Sequence, residues 1–358
     1  MNAGKVALIV VSISLFGLFS FLEVSYQANG ATGARLAPLV EALPQINNPS
    51  YKEGQTALLV RPEIKEEPKK ETITLGFVGD IMLDRGVRSS VDKRGGDYSY
   101  LFQKIKFPKT DILFGNLEGP VAYGGEEIGN LYSFRMHPMT LSVLKEAGFN
   151  VLSLANNHIG DWGPAAANES VNNIKDVGLS SVGWGKEDLN DALTIIEKEG
   201  IRIGYLAFSD VGPAWLPSKK DEAGVYLATQ SNLETYIPLA KKEVDILVVS
   251  YHFGEEYEPE SNKRQQTLAR NSIDLGADLI IGHHPHVTQE IEEYNDGLIA
   301  YSLGNFIFDQ YFSPETMMGR TLLVEIGPSG IHSYTPGTSF LNGTFQIEAL
   351  LWDKEIVF

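Results

Sequence analysis

Short apolar runs in this chain stop on residues that bind metals or move protons, and they do so repeatedly. The runs are Ile73–Val78 ahead of Gly79-Asp80, Asp111–Phe114 ahead of Gly115-Asn116-Leu117-Glu118, and Val151–Ala155 ahead of Asn156-Asn157-His158. Asp245–Tyr251 ahead of His252 and Asp278–Ile281 ahead of Gly282-His283-His284-Pro285-His286 complete the set. Runs of this length, rich in Val, Ile, Leu and Phe and bounded by Gly or Asn, predict buried strands. Between them Met139–Ala147, Pro164–Val177, Leu233–Lys242 and Lys263–Leu275 carry helical spacing, with Gly148, Gly178 and Gly276 as stop signals. Leu193–Glu197 and Ile201–Phe208, joined by Lys198-Glu199-Gly200, read as an antiparallel hairpin, and Leu298–Ser302, Thr321–Ile326 and Thr344–Leu351 as late strands. The expected fold is α/β, two mixed sheets packed face to face with helices outside. Ligands in such sheets bind beyond the carboxyl ends of the strands, so the five polar tips should converge on one site.

The amino terminus follows a different pattern. After Lys5, Val6–Leu22 is an uninterrupted stretch of apolar, Gly and Ser residues. It exceeds the roughly 7–15 residues of a signal-peptide core and approaches the roughly 17–25 needed to cross a bilayer. The expectation is one transmembrane helix within an anchor or signal over residues 1–29. Lys5 on its cytoplasmic side makes this a single-pass cell-membrane protein with an extracytoplasmic domain. Ala28-Asn29-Gly30 offers the small residues of a cleavage site as the alternative. Residues 30–71, rich in Pro, Gly and mixed charge, read as a flexible linker, and residues 72–358 as the folded domain.

Composition narrows the partners. The chain has 358 residues, is 43% hydrophobic and carries a formal net charge of −17, with no Lys or Arg cluster, which argues against nucleic acid. There is no cysteine, so any metal must sit on N and O ligands.

His158, His252, His283, His284 and His286, five of the seven histidines, lie at predicted strand ends. With Asp80 and Glu118 they form an imidazole and carboxylate set suited to Mn, Zn or Fe. His284 and His286, one residue apart, share a face if the backbone there is extended. One or two divalent ions held this way could activate water and neutralise a phosphoryl group. Asn305, at the end of the aromatic stretch from Tyr301, is a candidate substrate-binding residue, whereas the acidic group Glu255, Glu256, Glu258 and Glu260 reads as a solvated loop.

The order of these elements resembles the calcineurin-like metallophosphoesterases and, more closely, the CapA family of capsule and poly-γ-glutamate synthesis proteins. The resembling phrases are Gly79-Asp80-Ile81-Met82, Asn116-Leu117-Glu118-Gly119-Pro120, Asn156-Asn157-His158 and Tyr251-His252-Phe253-Gly254-Glu255-Glu256-Tyr257. Gly282-His283-His284-Pro285-His286-Val287 and Tyr301-Ser302-Leu303-Gly304-Asn305-Phe306 continue the match. The resemblance implies a four-layer metallophosphoesterase-like sandwich and a metal set of Asp80, Glu118, Asn157, His252, His284 and His286. Met82 stands where the superfamily has a further histidine, and His283 is the spare of its cluster. His158 is the implied proton donor, Asp161 its orienting carboxylate, and Arg135 a substrate-binding residue for phosphate or carboxylate. The implied function is capsule or poly-γ-glutamate synthesis or export by a metal-dependent hydrolase, with an anionic polymer or phosphoester as substrate and membrane-bound synthase subunits as partners. The alternative is a non-enzymatic polymer-binding or synthase-assembly component with a degenerate metal site.

Overall fold

The computed structural model describes residues 72–358. The predicted membrane segment and the linker over residues 30–71 lie outside the described residues. Within these no helix is long and apolar enough to cross a membrane.

Two sheets carry the domain. In the first, β1 (Ile73–Ile81), β2 (Ile112–Leu117), β3 (Val151–Ser153) and β4 (Ser180–Val182) are parallel neighbours. They are connected through α1 (Arg85–Asp92), α2 (Met139–Glu146) and α3 (Gly163–Asp176). Beyond β1 the sheet continues as an antiparallel meander of β14 (Met318–Gly327), β15 (Gly330–Leu341) and β16 (Ile347–Trp352). Short β13 (Asn305–Ile307) pairs in parallel with the end of β1, and β17 (Ile356–Val357) pairs with β15. The second sheet has the order β11 (Ile291–Tyr294), β12 (Gly297–Ala300), β10 (Leu279–His283), β9 (Ile246–His252), β7 (Ile201–Ser209), β6 (Thr194–Lys198). Its four central strands are parallel and its two edges antiparallel. α4 (Leu189–Ala192), α5 (Gln230–Lys241), α6 (Lys263–Asp274), two short 3-10 helices (Tyr98–Phe102 and Glu315–Met317) and a small ladder of β5 (Trp184–Gly185) with β8 (Gly224–Val225) complete the described elements.

The period of two along each strand divides the core. On β9, Ile246 and Val248 join the cluster shared with the first sheet, while Leu247, Val249 and Tyr251 join the cluster with α5 and α6. Strand β10 divides in the same way, Leu279 and Ile281 facing inward and Ile280 outward. Phe114 of β2 stacks on Tyr205 of β7 with ring centroids 5.7 Å apart, joining the sheets face to face. Helices α2 and α3 add Leu141, Leu144, Ala167 and Ile174 to the shared cluster. Burying each of the leucines and Ile174 stabilises the fold by about 1.5–3 kcal/mol.

The five predicted strands, four predicted helices and the hairpin all exist within a few residues of their expected bounds. Gly148, Gly178 and Gly276 have positive φ after their helices. Glu199 and Gly200, both left-handed, make the two-residue turn between β6 and β7. Strand β15, which is not among the predicted strands, is 12 residues long. Its Pro336 and Gly337 obscure the alternation, and the ladder to β14 supplies what local pattern does not.

Candidate metal centre

Register places the site. Asp80 on β1 is level with Asn116 on β2 and Asn305 on β13, and Asn116 is level with Ser153 on β3. On the facing sheet His283 of β10 is level with His252 of β9. Since all these strands are parallel, the two rows of side chains meet at one edge of the sandwich. The glycine before each row is a steric requirement. A Cβ on Gly79 would lie 1.9 Å from the carbonyl oxygen of Gly304, and one on Gly282 1.9 Å from that of Tyr301.

Asp80 is fully buried and is the hub of the cluster. Its carboxylate accepts hydrogen bonds from Asn116 Nδ2 at 2.8 Å and from the backbone N–H of His284 at 3.3 Å. His283 Nδ1 and His286 Nδ1 each approach it to 3.3 Å. Asn116 also reaches Glu118 Oε2 and His252 Nδ1, both at 3.4 Å. This amide, which was not among the site candidates, links three ligand candidates. Glu118 is fully buried, with Oε1 3.7 Å from His286 Nε2 and 3.8 Å from His158 Nε2.

The His283–His286 segment departs from the extended geometry expected of it. His284 has φ 100° and His286 φ 59°, left-handed conformations that cost about 1–3 kcal/mol each. Both imidazoles nevertheless turn into the cluster: the His284 ring lies 4.8 Å from that of His252 and 5.9 Å from that of His286. His283 stands beside Asp80 rather than apart.

Burial and mutual charge set the protonation states. Burial opposes ionisation of Asp80, but contacts with His283 and His286 outweigh it and hold the carboxyl well below its ordinary range. Burial pushes Glu118 well above its ordinary range, with His286 opposing and the Asp80 charge adding. His286 suffers the same burial, but Glu118 and Asp80 raise it to about 9. Burial, then the charge of His286, lowers His284 to about 3, and burial, then His284, lowers His252 well below its ordinary value. Asp80 is thus held ionised and His286 protonated, while Glu118 is pushed toward its neutral carboxyl and His252 and His284 toward the neutral imidazole.

His158 stands at the solvent side, backed by the fully buried Asp161. His158 Nδ1 is 2.8 Å from Asp161 Oδ2, which also accepts from the backbone N–H of Phe134 at 2.9 Å, while Oδ1 accepts from Asn130 at 2.7 Å. Asn157 Oδ1 is 2.7 Å from His252 Nε2. Two cavities open beside them, of about 290 and 620 Å³, and both are lined by Tyr132, His158 and Glu256. They form two lobes of one groove over the cluster, with aromatic walls that include Phe308, Tyr311 and Trp215.

The remaining candidates divide. Asn305 holds His286 Nδ1 through Oδ1 at 3.0 Å and donates to Gln310 and to the Thr316 carbonyl. Arg135 stacks over the Trp162 ring, 3.6 Å from its centroid, and donates to the carbonyls of Tyr123 and Gly124. Among the described residues lining the groove the only arginine or lysine is Arg85, which was not among the candidates. Its Nε meets Asp309 Oδ2 at 3.2 Å and its guanidinium lies over the rings of Tyr132 and Phe134. Met82 is fully buried in the core, so no imidazole enters from that position.

The residues fit a divalent ion. Glu118 Oε1, both ring nitrogens of His283 and Nδ1 of His284 are buried with no hydrogen-bond partner. Asp80, Glu118 and His286 offer ligand atoms within 4.8 Å of one another, and so do Glu256, His284 and His286. Mixed imidazole and carboxylate donors suit Mn, Zn or Fe more than Mg or Ca. Fold and site together define a two-sheet α/β protein with a candidate divalent-metal centre at its strand tips. The family model described as bacterial capsule synthesis protein PGA_cap matches residues 74–310, and the chain belongs to that family. It is 35% identical over 295 residues to the PGA biosynthesis protein CapA of Bacillus subtilis (strain 168), covering 76% of each chain. It is 36% identical over 252 residues to the capsule biosynthesis protein CapA of Bacillus anthracis, covering 68% of this chain and 61% of that one. Among solved structures it is similar to Haemophilus influenzae NAD nucleotidase, at 12% identity and a TM-score of 0.44 over 80% of this chain and 53% of the other.

Proposed function

We propose that this protein is a metal-dependent hydrolase serving capsule or poly-γ-glutamate synthesis. It would be tethered to the cell membrane by its amino-terminal segment with residues 72–358 outside the cytoplasm, beside membrane-bound synthase subunits. The observation that carries the reading is the placement of buried, unpartnered Glu118 and His284 atoms beside His158 and His286, which line the solvent groove. A structural polar network would have satisfied those atoms internally. Membership of the PGA_cap family supplies the biological setting.

The residues divide the work. Asp80, Glu118, His284 and His286 would hold the ion, with Asn157 and His252 as the adjoining pair. A divalent ion there supplies Lewis acidity toward a phosphoryl or carbonyl oxygen. Asp161 accepts from His158 Nδ1 and so directs Nε2 toward the cluster and groove, where an imidazolium can donate its proton to the leaving oxygen or nitrogen. Arg85 offers a planar, charge-assisted donor fork to a phosphate or carboxylate of the substrate, the local cation that an acidic protein needs for an anionic polymer.

The test is cleavage of poly-γ-glutamate and of a chromogenic phosphodiester by the full chain in detergent, with Mn²⁺ or Zn²⁺ added after chelator treatment. Turnover that requires metal and falls at least ~100-fold in His158→Ala supports the reading. Metal binding without turnover of either substrate would sink it. That outcome favours a polymer-binding or assembly component, to which the burial of Met82 in place of a histidine lends its support.

A further inference from the structure

The acidic loop after β9 brings one of its carboxylates back onto the histidine cluster. Gly254 has φ 96° and a Cβ there would meet the Gln265 side chain at 2.6 Å, so the chain turns tightly as it leaves Phe253. Tyr257 is left-handed at φ 68° and its N–H donates to the Pro285 carbonyl at 2.8 Å, strapping the loop to the His283–His286 segment. Between these two points Glu256, although exposed, lies with His284 and His286 such that one ligand atom from each is within 4.8 Å of the others. His284 is only 7% exposed, and its Nδ1 has no hydrogen-bond partner.

We infer that Glu256 is a metal ligand: with His284 and His286 it forms a two-imidazole, one-carboxylate set at the mouth of the groove. The inference rests on the reading of the strand tips as a divalent-metal centre and deepens it. Two histidines and a glutamate, with further positions open to the groove, are the composition of catalytic zinc sites. The loop carboxylate makes good the ligand lost where Met82 occupies the core. His286 Nδ1 is engaged by Asn305 and Asp80, which leaves its Nε2 side for the ion. Because Asp80 and Glu118 are fully buried while Glu256 is exposed, this ligand is the one that an arriving or departing ion meets first.

The experiment uses the full chain in detergent, stripped with chelator and reloaded with Zn²⁺ or with Co²⁺ as an optical probe. Glu256→Gln is compared with wild type and with Glu255→Gln, whose carboxylate is one residue away on the same loop. The expected result is at least a ~10-fold loss of Zn²⁺ affinity and a changed Co²⁺ visible spectrum in Glu256→Gln only, with metal-free melting unaltered. Equal affinity, stoichiometry and spectrum in all three proteins would overturn the role of Glu256 while leaving the metal centre standing. If wild type itself bound no metal, the metal-centre reading would fall, and Glu256 with it.

Discussion

Loading the cluster with metal should release a proton from His286, and the structure fixes the size of the effect. In the metal-free protein this buried imidazole titrates at about 9, because Glu118 and Asp80 outweigh its burial. A nitrogen that carries a proton cannot coordinate, so an ion binding at pH 7.5 must first remove it. The penalty is the distance from pH 7.5 to about 9, near 1.5 pH units, or about 2 kcal/mol. Apparent affinity should therefore rise ~25-fold between pH 7.5 and 9.5 and then level off. At least about one proton should leave per ion at pH 7.5, with raised Glu118 contributing in the same direction. Calorimetric titration with chelator-buffered Mn²⁺ in two buffers of different ionisation enthalpy counts the protons, and competition across pH gives the slope. A flat affinity between pH 7.5 and 9 with no proton release would refute the placement of His286 between two carboxylates as the controlling interaction.

The same shift makes a prediction for stability without metal. A histidine raised from 6.5 to about 9 stabilises the fold fully below pH 6.5, and the contribution is lost as pH rises through 9. Relative to His286→Gln, metal-free wild type should lose about 3 kcal/mol across that window in urea unfolding; a pH-independent difference would contradict it. Gly282→Ala should destabilise by at least about 3 kcal/mol, because its Cβ would stand 1.9 Å from the Tyr301 carbonyl oxygen and force β10 from β12; a loss under 1 kcal/mol would be inconsistent with that packing. Arg85→Ala should weaken inorganic phosphate binding to the metal-loaded protein ~10-fold by calorimetry with metal content unchanged, whereas Arg135→Ala leaves it intact; the reverse order would move the anion site to Arg135. Asp161→Asn turns an acceptor for three donors into a group with one acceptor oxygen, so about 2–4 kcal/mol should be lost in unfolding and the His158 tautomer should change by nitrogen NMR.

Much of the site was legible because strand ends are punctuated in sequence. Gly79-Asp80 and Gly282-His283 announce themselves, and the reason is now physical: each glycine admits a neighbouring strand's carbonyl where a Cβ would collide. At the hairpin turn Glu199-Gly200 and at the helix stops the reason is instead a positive φ, which glycine adopts freely. What was not legible depended on backbone paths that no local pattern encodes. Extended alternation was the argument for pairing His284 with His286, yet both are left-handed, and they converge because the segment curls around Asp80. Arg85 and Arg135 are equivalent in composition; a Trp162 ring and two carbonyls take one, and the groove receives the other.

Glu256 marks the limit most sharply. Among Glu255, Glu256, Glu258 and Glu260 nothing in sequence separates a ligand from a solvated charge, and the bland reading holds for most such runs. The separation comes from one backbone hydrogen bond, Tyr257 N–H to the Pro285 carbonyl, formed between segments nearly thirty residues apart. That bond exists only because β9 and β10 are parallel neighbours whose ends emerge together. The parallel sheet therefore does two things for this site. It lines up the buried ligands in register, and it delivers their loops to the same edge, where a carboxylate from one can meet the imidazoles of the other. With Met82 buried in the core, such a centre can take a further ligand from a loop without altering that core.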